Sequence, residues 1–106
     1  MICRYWRGWT TPQNADAYQS VLTEQVIPMI ESRRIPGFQR IDMMRRELGD
    51  EVEFATIMWF ESIDAIRAFV GDDYEVAHVP EVARKVLKRW DERSAHYELF
   101  GQREQP

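Results

Sequence analysis

Apolar residues recur along the chain at two spacings, which predict strands near both ends and in the middle, with helical regions between them. Residues 2–9 (ICRYWRGW) are rich in β-forming side chains, and Thr11 followed by Pro12 is typical of the start of a helix. Pro28 lies within the predicted helix, so we expect a kink or a late break there. The helix is predicted over about 12–33 from an apolar stripe at helical spacing, formed by Ala15, Tyr18, Leu22, Val26, Met29 and Ile30.

Two further strands are predicted in the middle of the chain. Pro36-Gly37 marks a turn, after which residues 38–46 and 51–60 have the composition of strands joined by a hairpin connection at 48–50. Residues 54–60 (FATIMWF) are apolar almost without interruption. Such a run favours a strand that is buried on both faces of its sheet.

The second half of the chain is predicted to hold an interrupted helical region and a last strand. Ser62 is suited to cap a short helix that ends at Gly71, and Asp72 or Asp73 then starts another turn. A third helical stretch opens at Pro80, and residues 93–100 (RSAHYELF) are predicted to form the final strand. The residues expected to face inward from these helices are Ile63, Ile66, Phe69, Val70, Val82, Ala83, Val86, Leu87 and Trp90.

The predicted order β-α-β-β-α-β is that of an α+β, ferredoxin-like domain, with a four-stranded antiparallel sheet and helices on one face. We expect one domain over residues 1–100 and a frayed C-terminal tail over 101–106. Trp6, Trp9, Met43 and Met44, together with the run at 54–60, supply more apolar surface than one helical layer covers. A second copy of the sheet would bury it, so we expect a homodimer.

Composition excludes several classes of partner and site. The 106 residues carry a formal net charge of −4, which disfavours nucleic acid, because phosphate binding needs a basic face. No apolar run is long enough to span a bilayer, and the first residues have the pattern of a strand and not of a signal peptide. The lone cysteine, Cys3, excludes an internal disulfide and a multi-cysteine metal site. We therefore expect a cytoplasmic protein without a bound metal.

Four segments, YWRGWT, VEFATIMWF, AIRAFVGDDYEVA and PEVARKVLKRWDERSAHYEL, occur in this order and together resemble the antibiotic biosynthesis monooxygenase family. The resemblance extends from Ile2 to Phe100. It implies a dimeric α+β barrel, in which two ferredoxin-like subunits join their sheets and each holds a pocket between sheet and helices. Members of the family include cofactor-free oxygenases of aromatic polyketides, quinol oxygenases, haem-degrading enzymes and proteins without known chemistry.

His78 is the candidate catalytic residue. Its imidazole titrates near neutral pH and could take a proton from a phenolic or enolic ligand, leaving a carbanion that reduces dioxygen without a cofactor. The alternative is a structural histidine that stabilises a helix end. A third reading comes from the haem-degrading branch, which resembles this chain in a tryptophan, here Trp59, followed by a haem-ligating histidine. Against it, Ala68 and Phe69 occupy the helix where that branch has a tryptophan, and the first strand has no asparagine.

The remaining candidates are ligand-contacting residues. Trp6 and Trp59 are predicted to form a pocket wall, and Tyr74 lies one helical turn before His78, so that both could face the same space. On the last strand, His96 could be oriented by Glu98 and face Arg4, Trp6 or their neighbours across the ladder. The alternative is a structural polar network.

These residues favour a small cofactor-independent monooxygenase-like protein that binds a compact aromatic, quinol or polyketide-type molecule. The alternative is a non-catalytic dimeric binding or structural module whose pocket is filled by its own side chains.

Overall fold

The computed structural model describes residues 1–106, which form five strands and four α-helices around one sheet. The elements are β1 (Ile2–Thr10), a 3-10 turn (Pro12–Asn14), α1 (Ala15–Val21), a π-helical segment (Leu22–Val26), α2 (Ile27–Ser32), β2 (Phe38–Glu47), β3 (Val52–Phe60), α3 (Ile63–Val70), α4 (Glu81–Arg84), β4 (Arg89–Trp90) and β5 (Ala95–Glu98). All pairings are antiparallel, in the order β2-β3-β1, with β4 and β5 both on the other side of β1. The predicted ferredoxin-like α+β fold is confirmed, with its fourth strand split in two.

The first helical region is continuous from α1 to α2, but its middle is widened into the π-helical segment. The N–H of Ile27 bonds the carbonyl of Leu22, five residues back. Pro28 offers no N–H and its ring needs room beside the preceding turn, which the wider segment provides. The extra residue in this turn rotates the apolar stripe, so Ile27 is buried and Met29, predicted to face inward, is 45% exposed.

The sheet separates two sets of side chains by strict alternation. Trp6 pairs with Thr56 on the face that the helices cover, whereas Cys3 pairs with Trp59 on the outer face. Within one chain, the even positions of β3 are buried and most of the odd ones are half-buried. Burial on both faces of this strand is therefore not achieved by the single chain.

The core lies between the inner face of the sheet and the helices. Tyr18 of α1 meets Phe54 edge-on at 4.8 Å between ring centroids. Phe60 stacks between Phe38 and Phe69, with centroid distances of 5.2 and 6.1 Å. These aromatic contacts fix α1 and α3 on the same face of the sheet.

The segment after α3 departs from the prediction. Ser62 caps α3 by accepting a hydrogen bond from the N–H of Ala65 (3.2 Å), and Gly71 ends it with φ of 98°, as expected. The following residues form turns and irregular chain up to the four-residue α4. The predicted helix through Trp90 is wrong because the chain there joins the sheet: Lys88 N–H bonds the Trp9 carbonyl at 2.7 Å. Trp90 thus lies half-buried in β4 and not in a helical core.

None of the helices combines the length and the hydropathy that a membrane crossing requires.

Candidate functional site

A cavity of about 40 Å³ lies between the inner face of the sheet and the helices. It has room for about three water molecules. Its wall is mostly apolar, and the polar groups on it come from Arg4, Tyr18, Thr56, His78 and Ser94. Burial raises the pKa of the Tyr18 phenol, which therefore stays protonated. The apolar wall is formed by Trp6, Leu22, Val26, Ile27, Ile30, Ile41, Met58, Phe69, Val79, Pro80 and Ala83.

The irregular segment between Gly71 and Pro80, which we call the histidine loop, carries His78 to this cavity. The loop runs antiparallel to residues 92–94: Ala77 N–H bonds the Glu92 carbonyl at 3.0 Å, and Ser94 N–H bonds the Glu75 carbonyl at 2.7 Å. The loop is not helical. Its backbone groups are instead satisfied by strand-like hydrogen bonds to residues 92–94.

His78 lies at the mouth of the cavity, with one side open to solvent and the other toward Phe69. The two ring centroids are 5.1 Å apart. Partial burial lowers the pKa of His78 below its ordinary value, and the positive charges of Arg33 and Arg4 lower it further. The imidazole is therefore neutral at pH 7 and able to accept a proton.

Arg4 is the buried cation of the site. Its side chain comes from the inner face of β1 and is only 3% exposed. Nη1 donates to the carbonyl of Tyr74 and to Nε2 of His96 (3.0 Å), and Nη2 donates to the carbonyl of Val76. Burial lowers the pKa of Arg4 to about 10, so it remains charged at neutral pH. The guanidinium ties the histidine loop to the sheet.

His96 pairs directly with Arg4 across β1 and β5, as the sequence predicted. Because a guanidinium only donates, Nε2 of His96 accepts and its proton resides on Nδ1, which is buried and has no partner. Burial and the charge of Arg4 lower the pKa of His96. The ring is thus oriented by Arg4 and kept neutral; the expected orientation and charging by Glu98 is not observed.

Three of the predicted ligand-contacting residues, Trp59, Tyr74 and His96, do not line the cavity. The alternation along β3 places Trp59 on the outer face, where its Nε1 donates to Asp42 at 3.1 Å. Tyr74 is in a turn and not on a helix with His78, so its ring meets His96 edge-on at 5.2 Å. Trp6 does line the cavity, and its Nε1 donates to the carbonyl of Asp91 at 2.9 Å.

Ser94 and Thr56 line the cavity but were not among the site residues predicted from the sequence. Both side chains are buried, and the Ser94 hydroxyl has no hydrogen-bond partner. The parity of the strands could have indicated Thr56, because it shares the inner face of β3 with Phe54 and Met58. No local pattern indicates Ser94, whose position depends on the histidine loop.

No three histidine, cysteine or acidic side chains lie close enough together to hold a metal ion. The site also does not fit haem. A cavity of about 40 Å³ is far smaller than the pockets of roughly 300–1,000 Å³ that hold cofactors and large ligands. On its cavity side, the His78 ring packs against Phe69, with 5.1 Å between the ring centroids.

Comparison with known proteins gives structural relatives only. No family model matches the sequence, and no curated protein is significantly similar to it. A solved structure of a Bacillus cereus protein, provisionally named an antibiotic biosynthesis monooxygenase, has a TM-score of 0.65 at 12% identity, covering 98% of this chain and 97% of its own. A Chloroflexus aurantiacus protein with the same provisional name has a TM-score of 0.58 at 13% identity, covering 97% and 96%.

The third relative is SnoaB from Streptomyces nogalater, a cofactor-independent oxygenase. Its TM-score is 0.58 at 18% identity, with 99% of this chain and 97% of SnoaB covered. Since the three matches span nearly the whole chain, they confirm the resemblance predicted from the sequence at the level of the fold. This chain shares its fold with antibiotic biosynthesis monooxygenases.

Proposed function

We propose that this protein is a small cofactor-independent monooxygenase that acts on a compact aromatic or quinol-type molecule. The observation that carries the proposal is the neutral His78 at the mouth of an apolar cavity. A base that is unprotonated at working pH and beside a water-poor space is suited to take a proton from carbon or from a phenol. The fold shared with a cofactor-independent oxygenase supports the same chemistry.

Anthrone, the largest of the ring compounds considered, illustrates the proposed chemistry, although binding it would require the cavity wall to move. His78 takes a proton from the ring CH₂, which leaves an enolate whose negative charge lies largely on oxygen. Dioxygen adds to the carbon that lost the proton, and the histidine returns that proton to the resulting peroxide. Loss of water gives anthraquinone, so that one oxygen atom enters the product and the other leaves as water. The electrons come from the substrate, and the step needs no cofactor.

Each residue of the site has a proposed part in this reaction. His78 is the base, and Trp6 and Arg4 contact the ligand from the sheet. His96 and Tyr74 act through Arg4 as positioning residues, because they bond its guanidinium with a ring nitrogen and a backbone carbonyl. The ligand must be compact, since any molecule larger than a few waters displaces part of the cavity wall.

We further propose that two copies pair through the outer face of the sheet. Cys3, Tyr5 and Ile57 lie near the centre of this face, with the 60%-exposed ring of Tyr97 beside them. The charges around the centre are paired within the chain, as in Arg46–Glu53 and Arg7–Asp91, both at 3.0 Å. A partner would therefore meet an apolar surface with a neutralised rim.

The test of the enzymatic proposal is oxygen uptake with ring compounds of increasing size, from 1,4-hydroquinone to anthrone, together with product analysis. We expect His78→Ala to lower kcat by at least about a hundredfold, since it removes the proton acceptor. Asp72→Ala is the matched control, because Asp72 lies in the same loop, is exposed and does not bond Arg4. Equal turnover by His78→Ala and wild type would contradict the proposal.

A non-catalytic dimeric module is the second candidate, favoured by the small volume of the cavity, which its own side chains nearly fill. It predicts no turnover of any ring compound and no change in the imidazole NMR signals of His78 when these compounds are added. Substrate-dependent oxygen uptake that is lost in His78→Ala would exclude it.

A further inference from the structure

Arg4 is a buried charge without a counter-ion. Ten ion pairs occur in the chain, and Arg4 takes part in none of them. Its partners are two backbone carbonyls and the neutral ring of His96. These groups satisfy hydrogen-bond donors but carry no negative charge, so the positive charge on the cavity wall stays uncompensated.

Donors at this wall also remain unused. The three hydrogen bonds of Arg4 come from Nη1 and Nη2, and Nε donates to no protein atom. The Ser94 side chain lines the same cavity, is 4% exposed, and its hydroxyl has no partner. Buried donors are nearly always paired in native proteins, so the buried Ser94 hydroxyl indicates a missing acceptor in the cavity that it lines together with Arg4.

Water would satisfy the hydroxyl and the N–H, but it would leave the charge uncompensated. An oxygen atom with a negative charge satisfies both groups and neutralises the guanidinium, and hydrogen bonds to such an oxygen are stronger than neutral ones. The rest of the cavity wall, including Trp6, Met58 and Val79, is apolar and suits a hydrocarbon body.

We propose that the cavity binds its ligand through an oxyanion, a phenolate, enolate or carboxylate oxygen held between Arg4 and the Ser94 hydroxyl. This deepens the proposed function by naming the charge state of its substrate, and in that sense rests on it. The neutral His78 at the mouth receives the proton, and the buried cation Arg4 stabilises the negative charge that remains on the ligand.

The test uses 4-nitrophenol, whose phenolate absorbs visible light, with benzoate and formate as carboxylates and nitrobenzene as the neutral control. Spectrophotometric titration should show that the pKa of 4-nitrophenol falls by about one unit on binding to the wild type, a tenfold preference for phenolate over phenol. Benzoate and formate should displace the bound phenolate. Formate has three non-hydrogen atoms, about as many as the three water molecules for which the cavity has room, so it tests the site without movement of the wall.

Variants of Arg4 and Ser94 show whether these two residues cause the pKa shift of bound 4-nitrophenol. Arg4→Met should abolish the pKa shift, and Ser94→Ala should weaken phenolate binding severalfold while leaving nitrobenzene unaffected. Arg7→Met is the matched control: it removes the same charge from the same strand but from the outer face, where the side chain is 40% exposed. Near-ultraviolet circular dichroism of the tryptophans checks folding, and Ser94→Ala remains as the test if Arg4→Met does not fold.

Binding of benzoate or formate without 4-nitrophenol, lost in Ser94→Ala, supports the site and assigns it to carboxylates; binding of the phenolate assigns it to phenols or enols. Equal affinity for nitrobenzene and the anions, or no anion binding that depends on Arg4 or Ser94, overturns the inference. The two proposals fail in different ways. If the protein binds these anions but shows no oxygen uptake, the proposed function is wrong and the proposed anion site is not.

Discussion

Arg4 donates hydrogen bonds to backbone carbonyls in addition to lining the cavity. Its guanidinium is the hydrogen-bond partner of the Tyr74 and Val76 carbonyls, and so fixes the start of the histidine loop against β1. The loop has further anchors at residues 92–94, where backbone hydrogen bonds are joined by ion pairs of the Arg93 guanidinium with Asp73 (2.7 Å) and Glu75 (3.2 Å). The position of His78 thus depends on a residue far away in the sequence.

Replacing Arg4 by methionine should lower the free energy of unfolding by about 2 kcal/mol, because two carbonyls lose their partner. Urea denaturation measures the change. Arg7→Met, which removes the partly exposed pair with Asp91 and the contacts of the guanidinium with the rings of Tyr5 and Trp9, should cost less, about 0.5–1 kcal/mol. Equal losses in the two variants would show that Arg4 does not anchor the loop.

The two histidines predict a pH dependence of stability. Burial and Arg4 lower the pKa of both His78 and His96 in the folded protein, so the unfolded chain binds more protons than the folded one just below the ordinary histidine value of about 6.5. Stability should therefore rise as the pH rises from about 5 to about 7. Urea midpoints across this range should show a smaller rise in the double variant His78→Gln, His96→Gln; an unchanged slope would contradict the prediction.

At the scale of elements, the turn before β2 has the strictest steric requirement. Gly37 has φ of 86°, its carbonyl accepts from the Glu61 N–H at 2.8 Å, and a Cβ there would lie 2.9 Å from that of Ala65 on α3. Glycine is required both by the backbone angle and by the close approach of a helix. The turn and α3 thus constrain each other.

Gly37→Ala and Gly49→Ala should separate these two effects. Both glycines have positive φ, but nothing lies within 4 Å of a Cβ at Gly49. Gly49→Ala should cost about 1 kcal/mol for the backbone angle alone. Gly37→Ala should cost about 1–2 kcal/mol more, because it also crowds Ala65. Thermal or urea unfolding of the two variants gives the difference, which would vanish if α3 simply moved away.

The elements show where sequence reasoning succeeds and where it fails. Strands β1, β2 and β3 and the cap at Ser62 follow from local patterns, and they were predicted within a few residues. The helix predicted through Trp90 has helical spacing, yet the vacant side of β1 offers ladder hydrogen bonds to Lys88 and Asp91. Hydrogen bonding to β1, which is distant in the sequence, overrides the local helical preference of these residues. No local sequence pattern indicates that pairing.

The site was predictable in part for the same reason. Strand order predicts that His96 faces β1, and the flanking Gly71 and Pro80 predict His78 near a helix end. The register, which only the structure gives, selects Arg4 over Trp6 as the partner of His96. Trp59 was assigned to the wrong face because neighbouring strands do not fix parity until the register is known. The role of Ser94 depends on the fold of a loop without periodicity.

At the scale of the whole molecule, the proposed dimer depends on the outer face of the sheet. Sedimentation at micromolar protein should give a dimer, and Ile57→Lys should give a folded monomer, because it places a charge at the centre of the proposed interface. Met29→Lys is the control, since Met29 is 45% exposed on α2 and away from this face. A monomeric wild type, or a dimeric Ile57→Lys, would contradict the proposed interface.

The alternation along β1 and β3 places the cavity residues and the outer-face residues at different positions of the same strands. Even positions, such as Arg4, Trp6 and Thr56, contact the cavity, and odd positions, such as Tyr5 and Ile57, form the outer face. Substitutions at even positions should therefore alter the proposed ligand site and leave the proposed dimer interface intact, and substitutions at odd positions should do the reverse. A single-residue insertion in β1 would move every following side chain to the opposite face of the sheet. During evolution this strand should therefore change by substitution and seldom by insertion or deletion.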